Sequence, residues 1–174
     1  MKTQGVQPTG REKTFSENDI IVSKTDLKGR ITYANRTFVQ VSGFSEEELL
    51  GQPHNIIRHP GMPQAVFKFP WDTLEQGREI FAYVKNMSRN GDHYWVFAHV
   101  TPTFDDARRI IGYHSSRRSP DRKQVELFEG IHAGLRAEEL RHADWRQGMD
   151  AATRMLLNAV AERKMEYGEF TFSV

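Results

Sequence analysis

Cysteine is absent from all 174 residues, which removes disulfides, thiolate metal sites, a cysteine nucleophile and any thiol adduct with a bound chromophore. An excess of one charge is lacking as well. The 24 basic and 23 acidic residues leave a net charge of +1, so no long-range field draws nucleic acid or an anionic membrane. No apolar run approaches the ~20 residues that cross a bilayer, and the polar, lysine-containing start lacks the apolar core of a signal peptide. A cytoplasmic chain with no membrane insertion and no nucleic-acid partner is expected. There is also no Gly-rich phosphate loop, no nucleophile motif and no clear pair of catalytic carboxylates, so no enzyme is expected. What is present, 38% apolar residues, suffices for one sizeable core with a helical extension beside it.

Residues 1–18 are polar, carry Gly5, Pro8 and Gly10, and show no sustained period; they read as a flexible arm or an N-terminal cap. Residues 19–119 follow as one α+β unit. A β-like run at Ile20–Ser23, a turn through Asp26 and Gly29, and a returning strand at Arg30–Tyr33 make a hairpin. Asn35 is placed to cap a helix that Gly43 ends, and Ser45 with Glu48 fits a capping box, with Glu46-Glu47-Glu48 as a favourable negative first turn. Prolines 53 to 63 break the chain into a turn, a brief helical piece and a loop, before helical spacing returns over 64–76 with Pro70 inside it. Three strands are then expected at Ile80–Met87, Tyr94–Thr103 and Arg109–Ser116, the first two joined by the strong hairpin signal Asn90-Gly91. The expected architecture is a five-stranded antiparallel sheet with short helices on one face. Residues 120–174 form the extension: two amphipathic helices, striped by Val125, Phe128 and Leu135 and by Trp145, Met149, Ala152, Leu156 and Val160, then a strand-like end at Glu169–Val174. The stripes must pack on the sheet, on each other or on a second subunit.

The segment Asn55-Ile56-Ile57-Arg58-His59-Pro60-Gly61-Met62-Pro63, with Trp71 and the run Asn90–Val96, sets cationic and aromatic side chains beside apolar secondary structure. That combination suits a planar aromatic cofactor, and points to sensing before catalysis. Arg58 offers a rigid fork of donors for a pyrophosphate or a carbonyl-rich ring, and His59 can donate to that ring or stack on it. Equally, Arg58 is a solvated charge and His59 a loop-fixing hydrogen bonder. Asn90 has first to make the turn before Gly91 and only then an amide to offer a ligand. Trp71 and Trp95 either flank a cofactor or fill the core. His93 and His99 share a strand face and, with His54, His59 and His114, raise a metal or haem reading, but the compact spacing of a structural zinc site is missing. Arg108-Arg109 and Arg117-Arg118 read as solvated basic turns.

The stretches ITYANRTFVQVSGFSEEELLGQPHNIIRHPGMPQAVF, WDTLEQG, NMSRNGDHYWV and IIGYHSSR closely resemble the PAS sensor domain of bacterial aerotaxis receptors, flavin-binding transducers of redox and oxygen signals. The resemblance covers about residues 18–119. It implies a PAS fold and FAD as cofactor, while the histidine spacing leaves no metal expected. By that similarity Arg58 and His59 fall on positions important for FAD binding, Asn90 on a pocket-side asparagine, Trp71 on a tryptophan near the flavin, and Asn35 on an asparagine of the pocket and signalling surface. Gly61 departs from the Asp often found there, which takes away an anchor for Arg58 or the cofactor, and Pro70 is a second departure. Full receptors continue into a membrane anchor, a linker and a signalling coiled coil outside these 174 residues. The expectation is therefore a free-standing soluble relative that signals through its own homodimer or a signalling-protein partner, using the N-terminal arm, the sheet face or the C-terminal helices. A cofactor-free PAS interaction module and a haem-based gas sensor are the alternatives.

Overall fold

A computed structural model describes residues 5–173. Strands β1 (Ile21–Thr25) and β2 (Ile31–Ala34) form the first hairpin. Its turn closes because the Asp26 carboxylate accepts the N–H groups of Lys28 and Arg30, both at 2.8 Å. Helix α1 (Arg36–Ser42) starts where the Asn35 side chain accepts from the Phe38 N–H and stops at Gly43, whose φ of 73° is left-handed. Helix α2 (Glu46–Leu49) carries the Ser45/Glu48 capping box. A 3-10 turn at His54–Ile57 and helix α3 (Ala65–Glu75) follow, with Pro70 inside α3. Strands β3 (Ile80–Met87), β4 (His93–Phe104) and β5 (Ile110–Arg118) complete an antiparallel sheet of order β2-β1-β5-β4-β3.

Strand alternation divides the sheet into two unlike faces. Ile80, Ala82, Val84 and Asn86 of β3 and Val96, Ala98 and Val100 of β4 face α3 and the 3-10 turn. Their neighbours Phe81, Tyr83, Trp95 and Phe97 face the other way, toward the C-terminal helices α4 (Arg122–Leu140), α5 (Trp145–Glu162) and α6 (Tyr167–Ser173). Phe128 of α4 stacks on Tyr83 at 4.2 Å between ring centroids, and His132 of α4 stacks on Trp95 at 5.6 Å. The short helices therefore cover one face of the sheet, as expected, and the C-terminal helices cover the other, where the apolar stripe of α4 is buried.

The strand expected at the C-terminus is instead helix α6. A short helix satisfies its own backbone and needs no open sheet edge, and from it two aromatics reach different surfaces. Phe170 lies edge-on to Phe128 at 5.9 Å, and Phe172 meets Phe81 and Phe97 at 4.7 and 5.4 Å. The N-terminal arm is docked along the start of β4: the Thr9 N–H donates to the Gly91 carbonyl, the His93 N–H to the Arg11 carbonyl and the Lys13 N–H to the His93 carbonyl, at 3.0, 2.9 and 2.7 Å. Its first four residues, and Val174, lie outside the described residues.

Candidate functional site

Small residues at inward positions, among them Ser23, Ala82, Ala98 and Ser115, leave a cavity of about 360 Å3 between the inner sheet face and α3. That volume lies within the range of small-molecule sites. Most of its wall is apolar, from Ile57, Val66, Leu74, Val84, Val96 and their neighbours. Trp71 projects from α3 and meets Tyr113 of β5 edge-on at 5.1 Å. A Cβ on Gly29 would come within 3.3 Å of the indole, so glycine in the β1–β2 turn lets Trp71 close over that hairpin.

Charge in the wall is of one sign. Lys28, Arg58 and Arg117 line the cavity, and among the described residues no aspartate or glutamate does. Lys28 is exposed and marks the rim. Arg58 is half-buried, with its guanidinium 3.7 Å above the Phe67 ring and its Nε without a partner. Burial lowers its pKa. Arg117 is only 2% exposed. Its Nη2 donates to the Ser23 hydroxyl and its guanidinium lies 4.6 Å over Phe38, while Nε and Nη1 are buried without partners. Desolvation brings its pKa down to about 10. The Ser23 hydroxyl is also 3.1 Å from His54 Nε2. Desolvation, together with the charges of Arg117 and Arg58, holds His54 at about 3, so its ring stays neutral at ordinary pH and can accept the serine proton. The Tyr94 hydroxyl is likewise buried and unpartnered, and burial pushes its pKa up.

Of the residues singled out from sequence, Arg58 and Trp71 line this cavity and the other three do not. Asn35 spends its amide on the fold: Oδ1 accepts from the Val22 and Phe38 N–H groups and Nδ2 donates to the Ile20 carbonyl. Asn90 is exposed in the β3–β4 turn, where Nδ2 donates to Asp92 and Oδ1 accepts from the Asp92 N–H. His59 sits in a separate cleft, its ring 6.0 Å from His93 and its Nδ1 accepting from the Gly61 N–H at 3.0 Å. Desolvation, Lys85 and His93 bring His59 to about 4. A Cβ at residue 61 would lie 3.1 Å from that Nδ1, so Gly61 leaves room for the His59 contact.

Sequence reasoning passed over Asn86, named His54 only toward a metal or haem and read Arg117 as a solvated turn, yet all three are in the wall. Arg117 is not part of a solvated turn. It follows Tyr113 and Ser115 at inward positions of β5, whereas Arg118 points out and is exposed. Strand phase was the available signal for it, as it was for Asn86, in step with Ile80, Ala82 and Val84. His93 and His99 do share a face, but it is the outer one, and among the described residues no group of three or more His, Asp or Glu is placed to hold a metal ion. Trp95 also belongs to the outer face, against His132.

A family model described as PAS fold matches residues 31–117. The aerotaxis receptor of Escherichia coli (strain K12) is 42% identical over 129 residues, which is 74% of this chain and 25% of the receptor. The nitrogen fixation regulatory protein of Klebsiella pneumoniae is 28% identical over 99 residues, 57% of this chain and 20% of that protein. The chain thus spans about a quarter or less of the length of these relatives. Among solved structures, the dark structure of the blue-light photoreceptor Aureochrome1 LOV superposes with a TM-score of 0.58 at 18% identity, over 63% of this chain and 82% of that one. A structure described as a flavin analogue shedding light on the mechanism of a Light-Oxygen-Voltage domain gives 0.57 at 17%, over 64% and 83%. The matched span includes the part of the cavity wall that runs from Pro53 to Arg117, and on sequence and fold together the chain belongs to the PAS-fold family.

Proposed function

We propose that the protein is a sensory PAS protein that binds a flavin, FAD in particular, and reports its redox or oxygen-dependent state. The observation that carries this is an apolar cavity, framed by Trp71 and Tyr113, whose buried arginine donors lack acceptors. A tricyclic ring with carbonyl oxygens and ring nitrogens fits both the aromatic frame and the donor set. The likeness to an aerotaxis receptor and to a flavin-related domain supports the same ligand.

In this reading Trp71 flanks the ring, Arg58 and Asn86 hydrogen-bond its edge, and Lys28 at the rim pairs with the phosphates. His59 holds the 59–61 loop behind Arg58, Asn90 sets the turn that keeps Asn86 in phase, and Asn35 ties β1 to α1. A flavin supplies a ring whose charge and nitrogen protonation change on reduction. The donors around it would then repartition their bonds, and two connections lead outward. Strand β5 runs from Arg117 into α4 within a few residues. Glu139 of α4, 6% exposed and paired with Arg136 at 3.1 Å, accepts from the Ala65 N–H at the start of α3, the helix that carries Trp71.

Residues 19–119 would be the sensor, 1–18 its cap and 120–174 its output, acting in the cytoplasm on a homodimer mate or a signalling protein and not as an enzyme. No described helix is long and apolar enough to cross a membrane. The test is an absorption spectrum of purified protein with identification of the ligand released on denaturation, then reduction by dithionite. About one flavin per chain, reversibly reduced, is expected. A colourless, folded protein that takes up no added flavin would leave the cofactor-free interaction module, and a haem band would leave the gas sensor.

A further inference from the structure

The geometry points to Arg117 as the residue that recognises the ligand at the inner end of the cavity, by donating to an oxygen acceptor such as a ring carbonyl. This deepens the flavin reading and rests on it only for the identity of the ligand. Three observations combine. Arg117 is 2% exposed, yet Nε and Nη1 are unpartnered, with only Nη2 engaged by Ser23. The lining supplies no carboxylate to neutralise it, and its other charged members are also cations. The Tyr94 hydroxyl is a second buried polar group with no partner.

A buried charge without a counter-charge destabilises a fold, and replacing it with a well-packed apolar side chain is neutral or stabilising unless the charge serves something else. The acceptor that Arg117 lacks within the chain is one that an occupant of the cavity can bring. Arginine's planar fork directs parallel N–H groups at a carbonyl oxygen. The apolar neighbourhood of Val96 and Ala98 suits a ring edge there, while phosphates have the exposed Lys28 at the rim.

The experiment compares the wild-type chain with Arg117→Met and Arg117→Gln, the latter keeping a donor for Ser23. Thermal unfolding is read on flavin-stripped protein, and the dissociation constant is measured for added FAD. The inference expects melting temperatures in the stripped variants equal to or above wild type, with FAD bound about 10- to 100-fold more weakly, as for loss of charge-assisted hydrogen bonds. Both variants melting several degrees lower would make Arg117 a structural prop and overturn the inference, as would unchanged FAD affinity. If wild type takes up no FAD, the flavin reading falls, and the melting comparison still decides whether Arg117 is held for a ligand.

Discussion

On the inner face of the sheet, Ala82, Ala98 and Ser115 leave open volume, and Arg58 and Arg117 stand without counter-charges. On the outer face, neighbouring residues of the same strands, Phe81, Tyr83, Trp95 and Phe97, each meet a ring from the C-terminal helices. The chain finishes one face with its own tail and leaves the other short of volume and of acceptors. Because the two faces share one backbone, a rearrangement on the inner side would reach the helices packed on the outer side in the proposed sensory reading.

Removing the outer packing should have the largest effect on stability. Phe128 is 1% exposed and stacked on Tyr83, so Phe128→Ala should cost about 3–5 kcal/mol in urea unfolding, while leaving flavin affinity within a few-fold. Trp71 is half-buried at the cavity wall, and Trp71→Ala should show the reverse: flavin binding weakened by about 2 kcal/mol, with a smaller loss of apo stability, read by titration and melting. The third effect is pH dependence. Burial and Lys85 hold His132 at about 4, against an ordinary value near 6.5. Above pH 6.5 neither folded nor unfolded state is protonated there, so the group contributes nothing. As pH falls toward 4 the unfolded chain takes up a proton that the folded one refuses, and stability should fall by about 1.4 kcal/mol per pH unit for this residue. His132→Phe, which keeps the stack on Trp95, should lower the overall slope in melts from pH 7 to 4.5 by that one-proton share, while the depressed His54 and His59 keep theirs. Smallest of all, Asn90→Ala removes only exposed turn contacts and should cost about 1 kcal/mol or less, with flavin affinity lowered by no more than a few-fold through the turn that holds Asn86.

Much of the scaffold was legible in the sequence because its signals are local. The Asn35 cap, the Ser45/Glu48 box, the Asn90-Gly91 turn and the period-2 strands all depend on neighbours within a few residues. The site was legible only in part. Arg58 and Trp71 of the cavity wall were singled out through the Arg-His-Pro segment and the WDTLEQG stretch, but Arg117 beside Arg118 looks like a solvated pair until the phase of β5 sends one in and the other out. Asn90 drew notice as a turn residue, while the inward asparagine is Asn86, four positions earlier. The alternation of Phe170 and Phe172 fits a strand as well as a helix, and only the surfaces that receive the rings decide between them. The stripe of α4 says that something covers it and not what, since the partner lies dozens of residues away on β3 and β4.

The most direct test is a flavin titration of three chains, wild type, Trp71→Ala and Phe128→Ala, followed by absorption and by melting. The inner-face account predicts saturable uptake near one equivalent by wild type, retained by Phe128→Ala despite its lower stability and weakened in Trp71→Ala. No uptake by wild type, or an equal loss in both variants, would contradict it.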